Sequence, residues 1–234
     1  MKLAAIGDLH CTDRSQGEIR RMLEGVDREA RVLLLAGDLT NCGLLVDGEV
    51  LIEELGQLRL PKIAVLGNHD HENDRADELG MALSAAGVHM LNSSTCVIDG
   101  IGFVGAKGFG GGFGQRRIQP FGERSIKTFV QASIEETTRL ETAMKALATE
   151  RKVALLHYSP VRETLLGESP EIFPFLGCSL LADALDRQGA AVILHGHAHN
   201  GTPGGRTAGG IPVHNVSRYV QSRNGGRPYL LFEV

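Results

Sequence analysis

Five short apolar runs in this chain each lead straight into side chains able to bind a metal ion, and that repetition constrains the fold more than any other feature. LAAIGDLH reaches Asp8 and His10, VLLLAGDLT reaches Asp38, KIAVLGNHD reaches Asn68, His69 and Asp70, VALLHYSP reaches His157, and AVILHGHAH reaches His197 and His199. Such runs, bounded by turn residues and separated by helical stretches, read as buried strands of a largely parallel sheet. In an open α/β sheet, ligands gather beyond the carboxyl ends of the strands. All five clusters are therefore expected to converge on one rim. The i, i+2 spacing of Asp8 with His10, and of His197 with His199, lets an extended segment aim both side chains the same way. Gly7, Gly37, Gly67 and Gly196 stand just before these residues, where a chain leaving a buried strand turns sharply.

The spacing predicts helices near residues 15–30, 47–58, 74–86 and 179–188. A longer helix is expected over 123–149, with Ile126, Phe129, Val130, Ile134, Leu140, Met144 and Leu147 on one apolar stripe. In CVIDGIGFVGA, Asp99-Gly100 lies between two β-rich runs and predicts a hairpin. IPVHNV and PYLLFEV at the end are expected to pair antiparallel through Arg223-Asn224-Gly225-Gly226. With no repeat, low-complexity linker or composition break, a single domain over 1–234 is expected. Trp is absent and aromatics are 5% of the chain, so its interior must be mostly aliphatic.

The candidate ligands are carboxylates, an amide oxygen and imidazoles, without thiolate. That set suits borderline divalent ions such as Mn, Fe, Zn or Co. Asp8, His10, Asp38, Asn68, His157, His197 and His199 are too many for one tetrahedral ion and suit two ions sharing a carboxylate. Cys11, Cys42, Cys96 and Cys178 form no CxxC pair and read as small packing residues.

The ordered series GDLH (7–10), GDLTNCG (37–43), GNHD (67–70), His157 and GHAH (196–199) resembles the calcineurin-like metallophosphoesterases over almost the whole chain. The resemblance implies an α/β fold, a two-sheet sandwich flanked by helices (αββα). It implies two divalent transition-metal ions, one on Asp8, His10, Asp38 and His199, the other on Asp38, Asn68, His157 and His197, with Asp38 bridging. It also implies hydrolysis of a phosphate ester by a metal-bridging hydroxide, with His69 facing the substrate and Asp70 orienting its imidazole. Serine/threonine protein phosphatases of this kind carry GDxxDRG and GNHE, whereas GDLTNCG and GNHD stand here. A small phosphodiester is the expected substrate, with a broad-specificity phosphomonoesterase as the alternative enzyme. A non-catalytic metal-binding scaffold is the alternative of another class, although scaffolds of this fold lose ligands or the GNHD histidine.

Other features frame that expectation. Lys107, Arg116 and Arg117, in and after the Gly-rich GAKGFGGGFG (105–114), are candidate substrate-binding residues, on either a mobile loop or a plain surface turn. That segment lacks the order of a Walker loop. Residues 159–176 leave directly after His157 and suit a wall or lid over the site, with simple packing or a dimer contact as the alternatives. His71, His89 and His214 match no motif, and His195 suits a core or supporting role. The net charge of -4, with both signs interspersed, gives no broad grip on nucleic acid. The apolar stretch of MKLAAIGDLH is too short for a signal sequence and no run approaches a membrane span, so a cytoplasmic location is expected.

Overall fold

The first strand already shows how the layers are built, because its side chains alternate between two different cores. In the computed structural model, which describes residues 1–223 and 226–234, β1 (Lys2–Ile6) turns Leu3 and Ala5 into one apolar cluster and Ala4 and Ile6 into another. After β1 come α1 (Glu18–Met22), α2 (Val26–Glu29), β2 (Leu33–Ala36), α3 (Leu45–Gly56), β3 (Lys62–Val65), α4 (Ala76–Ala85) and β4 (Val88–Met90). The chain then forms β5 (Ser94–Ile98), β6 (Ile101–Ala106), α5 (Arg124–Lys145), β7 (Arg151–Leu156), α6 (Phe173–Leu176), α7 (Ser179–Gln188) and β8 (Val192–His195). It closes with β9 (Gly204–Arg206), β10 (Pro212–Asn215), α8 (Arg218–Gln221) and β11 (Leu230–Glu233).

One sheet has the order β11-β1-β2-β3-β4, parallel except for β11. The other has the order β5-β6-β7-β8-β10-β9, parallel in its middle four strands, with β5 and β9 antiparallel at the edges. Leu34, Val65, Phe103, Leu155 and Leu194 meet between the sheets. Leu33, Leu35 and Ala64 face outward onto α1 to α4, while Val104, Ala154 and Ile193 face α5 and α7. Period-two alternation thus produces the expected αββα sandwich. Among the described residues, no helix is long and apolar enough to cross a membrane.

The Asp99-Gly100 hairpin forms as expected: β5 pairs antiparallel with β6, and the two turn residues take φ of 49° and 79°. Three expectations need correction. The stretch near 15–30 is two short helices, each entered through a left-handed glycine, Gly17 or Gly25. On α5 the buried face runs through Val130, Ser133, Thr137, Leu140 and Met144, whereas Ile126 and Ile134 are exposed. The closing strands do not pair with each other, since β10 lies beside β8 in one sheet and β11 beside β1 in the other. Pairing with β1 packs Leu230 and Phe232 against the inter-sheet core, a gain that short-range turn chemistry does not reveal. The expected turn at Asn224-Gly225 lies outside the described residues.

Candidate metal centre

β1, β2, β3, β7 and β8 run parallel within their sheets and release their loops into one cluster, as the ligand spacing requires. The loops are strained. Asp8, His10, Asp38 and His197 have φ of 61°, 46°, 48° and 69°, a left-handed region costing about 1–3 kcal/mol for a non-glycine residue and concentrated at functional sites. Asp8 and His10 therefore converge through a tight left-handed turn, correcting the extended geometry expected from their spacing. At Gly67 only glycine fits, because a Cβ there would run into the Asp38 carboxylate and amide.

Asp8, His10, Asp38 and His199 each place one donor atom within 4.8 Å of the others, and Asp38, His157 and His197 do the same. Asp38 belongs to both groups. His199 Nε2 lies 3.4 Å from Asp8 Oδ1 and 3.4 Å from His10 Nε2. His157 Nε2 lies 2.8 Å from Asn68 Oδ1 and 3.3 Å from Asp38 Oδ1, which brings Asn68 to the second group. Backbone amides hold the carboxylates: His197 N donates to both oxygens of Asp8 at 2.9 and 3.1 Å, and His69 N donates to Asp38 Oδ1 at 2.9 Å.

The protonation states fit bound cations. His157 Nδ1 donates to the Ala36 carbonyl at 2.9 Å, so its Nε2 is a lone pair aimed at two oxygens. Acceptors converging in this way suit a positive ion. Burial pulls His10 and His197 down to about 4 and His157 well below the usual imidazole range, leaving neutral nitrogens free to ligate. Burial and then the neighbouring Asp8 charge push Asp38 up to about 9. Burial alone would raise Asp8 too, but its contact with His199 and the nearby His157 hold it below the usual carboxylate range. Two buried carboxylates that cannot both ionise unaided would be relieved by divalent cations.

His69 stands at the edge of the cluster. Its Nδ1 meets the Asn41 carbonyl at 2.6 Å, its Nε2 lies 4.0 Å from Asp38 Oδ2, and its ring stands edge-on to His10 at 4.6 Å. Asp70 does not orient this imidazole. Its fully buried carboxylate accepts the amides of Leu39, Thr40 and Gly67 at 3.1, 2.8 and 2.8 Å and the Thr40 hydroxyl at 2.7 Å. Burial pushes its pKa up while the Gly67 and Thr40 donors oppose that shift, and four donors require the ionised form. Asp70 therefore staples the Asp38 loop to the Asn68 loop, and the steering of His69 falls to Asn41.

The proposed substrate residues separate. Lys107 Nζ bonds the Gly108 carbonyl and lies 4.9 and 5.1 Å from the ring centres of Phe109 and Tyr158, with Asp38 among the charges that it senses. Arg117 sits 3.8 Å from Asp183, and Arg116 is exposed in the turn beyond the loop. The Gly-rich segment is neither a mobile loop nor a surface turn up to Gly112: it is mostly buried, and Gly111 N and Gly112 N donate to the carbonyls of Pro174 and Gly177 at 2.6 and 2.9 Å. His195 is fully buried, with Nε2 2.8 Å from the Thr164 hydroxyl. A cavity of roughly 700 Å³ between α4 and α5 includes His71, Lys107 and Glu136 but none of the candidate ligands.

Sequence patterns missed Tyr219. Its ring lies 4.5 Å from that of His199, on a short helix whose Arg218 bonds Tyr219 Oη at 3.0 Å. No spacing in the sequence marks it, because α8 reaches the centre only through the second sheet.

The calcineurin-like phosphoesterase family matches this chain over residues 1–201. No curated protein matches the sequence significantly. Among solved structures, a phosphopantetheinyl hydrolase from Mycobacterium tuberculosis is similar with a TM-score of 0.70 at 16% identity, covering 99% of this chain and 95% of its own. A putative 5'-nucleotidase from Staphylococcus aureus gives 0.55 at 13% identity, covering 100% of this chain and 51% of its own. The anchor in the inner membrane complex of Plasmodium gives 0.57 at 13% identity, covering 97% and 74%. At these identities the likeness is one of fold.

Proposed function

The chain belongs to the calcineurin-like phosphoesterases, enzymes that hydrolyse phosphate esters, and from that premise we propose that it cleaves a small phosphodiester using two divalent transition-metal ions. Asp8, His10, Asp38 and His199 would hold one ion, and Asp38, Asn68, His157 and His197 the other. Bound there, Mn, Fe, Zn or Co ions would supply an activated water and neutralise charge on the phosphoryl oxygens. The observation that carries the reading is the overlap of two donor groups at one buried carboxylate, Asp38.

The protein's own part is positioning and proton transfer. Amides from His197 and His69 fix the two carboxylates, and the Ala36 carbonyl fixes the His157 tautomer. With Nδ1 held by Asn41, His69 presents Nε2 toward the cluster. As an imidazolium it would give that proton to the departing ester oxygen: the Nε2–H bond breaks, an O–H bond forms, and neutral imidazole remains. General acids of this kind typically contribute about 10²–10⁴-fold.

The test is a chelated sample reconstituted with Mn, Zn or Co and assayed on bis(p-nitrophenyl) phosphate and p-nitrophenyl phosphate. Activity that disappears on chelation, returns with metal and favours the diester is the expected result. Preference for the monoester would select the phosphomonoesterase alternative, and hydrolysis independent of metal would overturn the reading. Tight metal binding without hydrolysis of any ester would select the scaffold.

A further inference from the structure

A groove of roughly 530 Å³ opens directly off the metal centre, with Asn68 and His197 in its floor. Its walls are aromatic. Tyr158 lies 4.5 Å from the His197 ring, Phe109 lies 5.9 Å from Tyr158, Phe129 lies 5.1 Å from Phe109, and Phe175 lies 6.1 Å from Phe129, all as ring-centre distances. Four rings thus form an arc from a ligand histidine to the outer rim. Phe129 and Phe175 meet edge-on and the other pairs are tilted, and a further flat ring can extend such an arc.

The groove is built in advance. Gly110 lets the loop pass close to Phe129 and to the carbonyl of Pro174, the Ser133 hydroxyl bonds the Gly110 carbonyl, and Gly111 N bonds Pro174 O. These contacts fix the glycine-rich segment between α5 and α6. At the rim, Phe175 is 60% exposed and Ile172 is 41% exposed. A concave apolar surface with a few convergent polar groups is the usual form of a small-molecule site.

We propose that this groove is the subsite for an aromatic ester group of the substrate, so that the enzyme selects phosphate esters carrying an aryl ring or nucleobase over those carrying small alkyl groups. The inference rests on the proposed metal centre, since a phosphoryl group held beside Asn68 and His197 would have this groove open to one of its substituents. Ligand size agrees: the groove lies within the range of small-molecule sites, about 300–1,000 Å³. An aliphatic chain would also be buried there, but it would forgo the ring-to-ring contacts that four aromatic walls offer.

The test measures binding, which does not require turnover. Phenylphosphonate and methylphosphonate are titrated against the Mn-loaded protein, and the same pair against Ile172→Ser/Phe175→Ser and against Phe129→Ala. The double variant changes exposed side chains and leaves the Phe175 backbone in place. Phenylphosphonate should bind about 3- to 10-fold more tightly than methylphosphonate, as expected for aromatic pairing, and the ratio should fall toward unity in both variants while Mn content stays constant. A ratio near unity in the unmodified protein, or one preserved in both variants, overturns the subsite. If the double variant instead changes the molecular mass in solution and leaves the ratio untouched, the groove is a contact between copies of the chain and the proposal fails. Phenyl preference in a protein that hydrolyses no ester would sustain the groove and remove the phosphoesterase reading, whereas hydrolysis without phenyl preference would do the reverse.

Discussion

Replacing Asp70 by Asn keeps shape and volume but reverses half of the hydrogen bonding at the staple between two ligand loops. Oδ1 accepts Thr40 N and Thr40 Oγ1, and Oδ2 accepts Leu39 N and Gly67 N. Turned so that its NH2 takes the Oδ1 position, the amide can donate to the Thr40 hydroxyl, which also accepts, but it must still face Thr40 N in a site without solvent access. One buried donor left without an acceptor costs about 1–3 kcal/mol. For a chain of this size, 1 kcal/mol moves Tm by about 2–4 °C, so the variant should melt roughly 2–12 °C lower. Differential scanning calorimetry with Mn present and removed reads the stability, and elemental analysis reads the metal. Both ions should bind more weakly, because Leu39 and Thr40 follow Asp38 and Gly67 precedes Asn68. A variant melting within about 1 °C of the parent with full metal content would refute the staple. A variant that keeps its metals yet behaves kinetically like one lacking His69 would return Asp70 to the role of orienting that ring.

Four further outcomes are expected. His69→Ala should retain both metals and lose about 10²–10⁴-fold in kcat toward an alkyl diester, but much less toward a p-nitrophenyl ester; equal losses would remove the general-acid role. Since Asp38 is raised to about 9 by burial and the Asp8 charge, the metal-free centre retains a proton that metal must displace, so Mn affinity should climb about tenfold per pH unit between about 7 and 9. Calorimetric titration in buffers of different ionisation heat would show that proton, and a pH-independent affinity would contradict it. Lys107→Met should lower kcat/KM for anionic esters, while Arg116→Ala/Arg117→Ala should leave it within about twofold, because Arg117 is engaged by Asp183 and long-range charge decays with screening; the opposite ranking would restore the arginines as substrate contacts. Phe103, fully buried between the sheets, should cost about 3–5 kcal/mol when cut to Ala, and chemical denaturation showing less than about 1 kcal/mol would mean that the inter-sheet core is not close-packed there.

The strand-to-ligand series was legible because a buried strand followed by glycine and a donor fixes where that donor emerges, whatever its neighbours do. The Asp99-Gly100 turn was legible for a similar reason, since left-handed φ at both positions is a local demand. The partner of β11 was hidden, because its alternation suits any half-buried edge and only the three-dimensional arrangement offers β1. Asp70 misled for the same reason: its nearest ring in sequence is His69, but its donors come from residues 39 and 40. The aromatic arc joins residues 109, 129, 158 and 175 through contacts that no spacing announces.

Backbone strain and long-range bonding meet in the centre in a way that explains its persistence. Asp8 N donates to Gly37 O at 3.0 Å, His10 N to Asp38 O at 2.9 Å, and His197 N to the Asp8 carboxylate, so residues with left-handed φ are each tied to a different ligand loop. Relaxing one loop toward an ordinary conformation would break its bond to the next. At about 1–3 kcal/mol per strained residue, the loops would not hold these shapes alone, yet the cross-links make the strain a shared property of the cluster. Asp38 sits where these links and both donor groups coincide. A substitution that breaks one of these cross-links should therefore disturb both metal positions, not only the ion that its own side chain would touch.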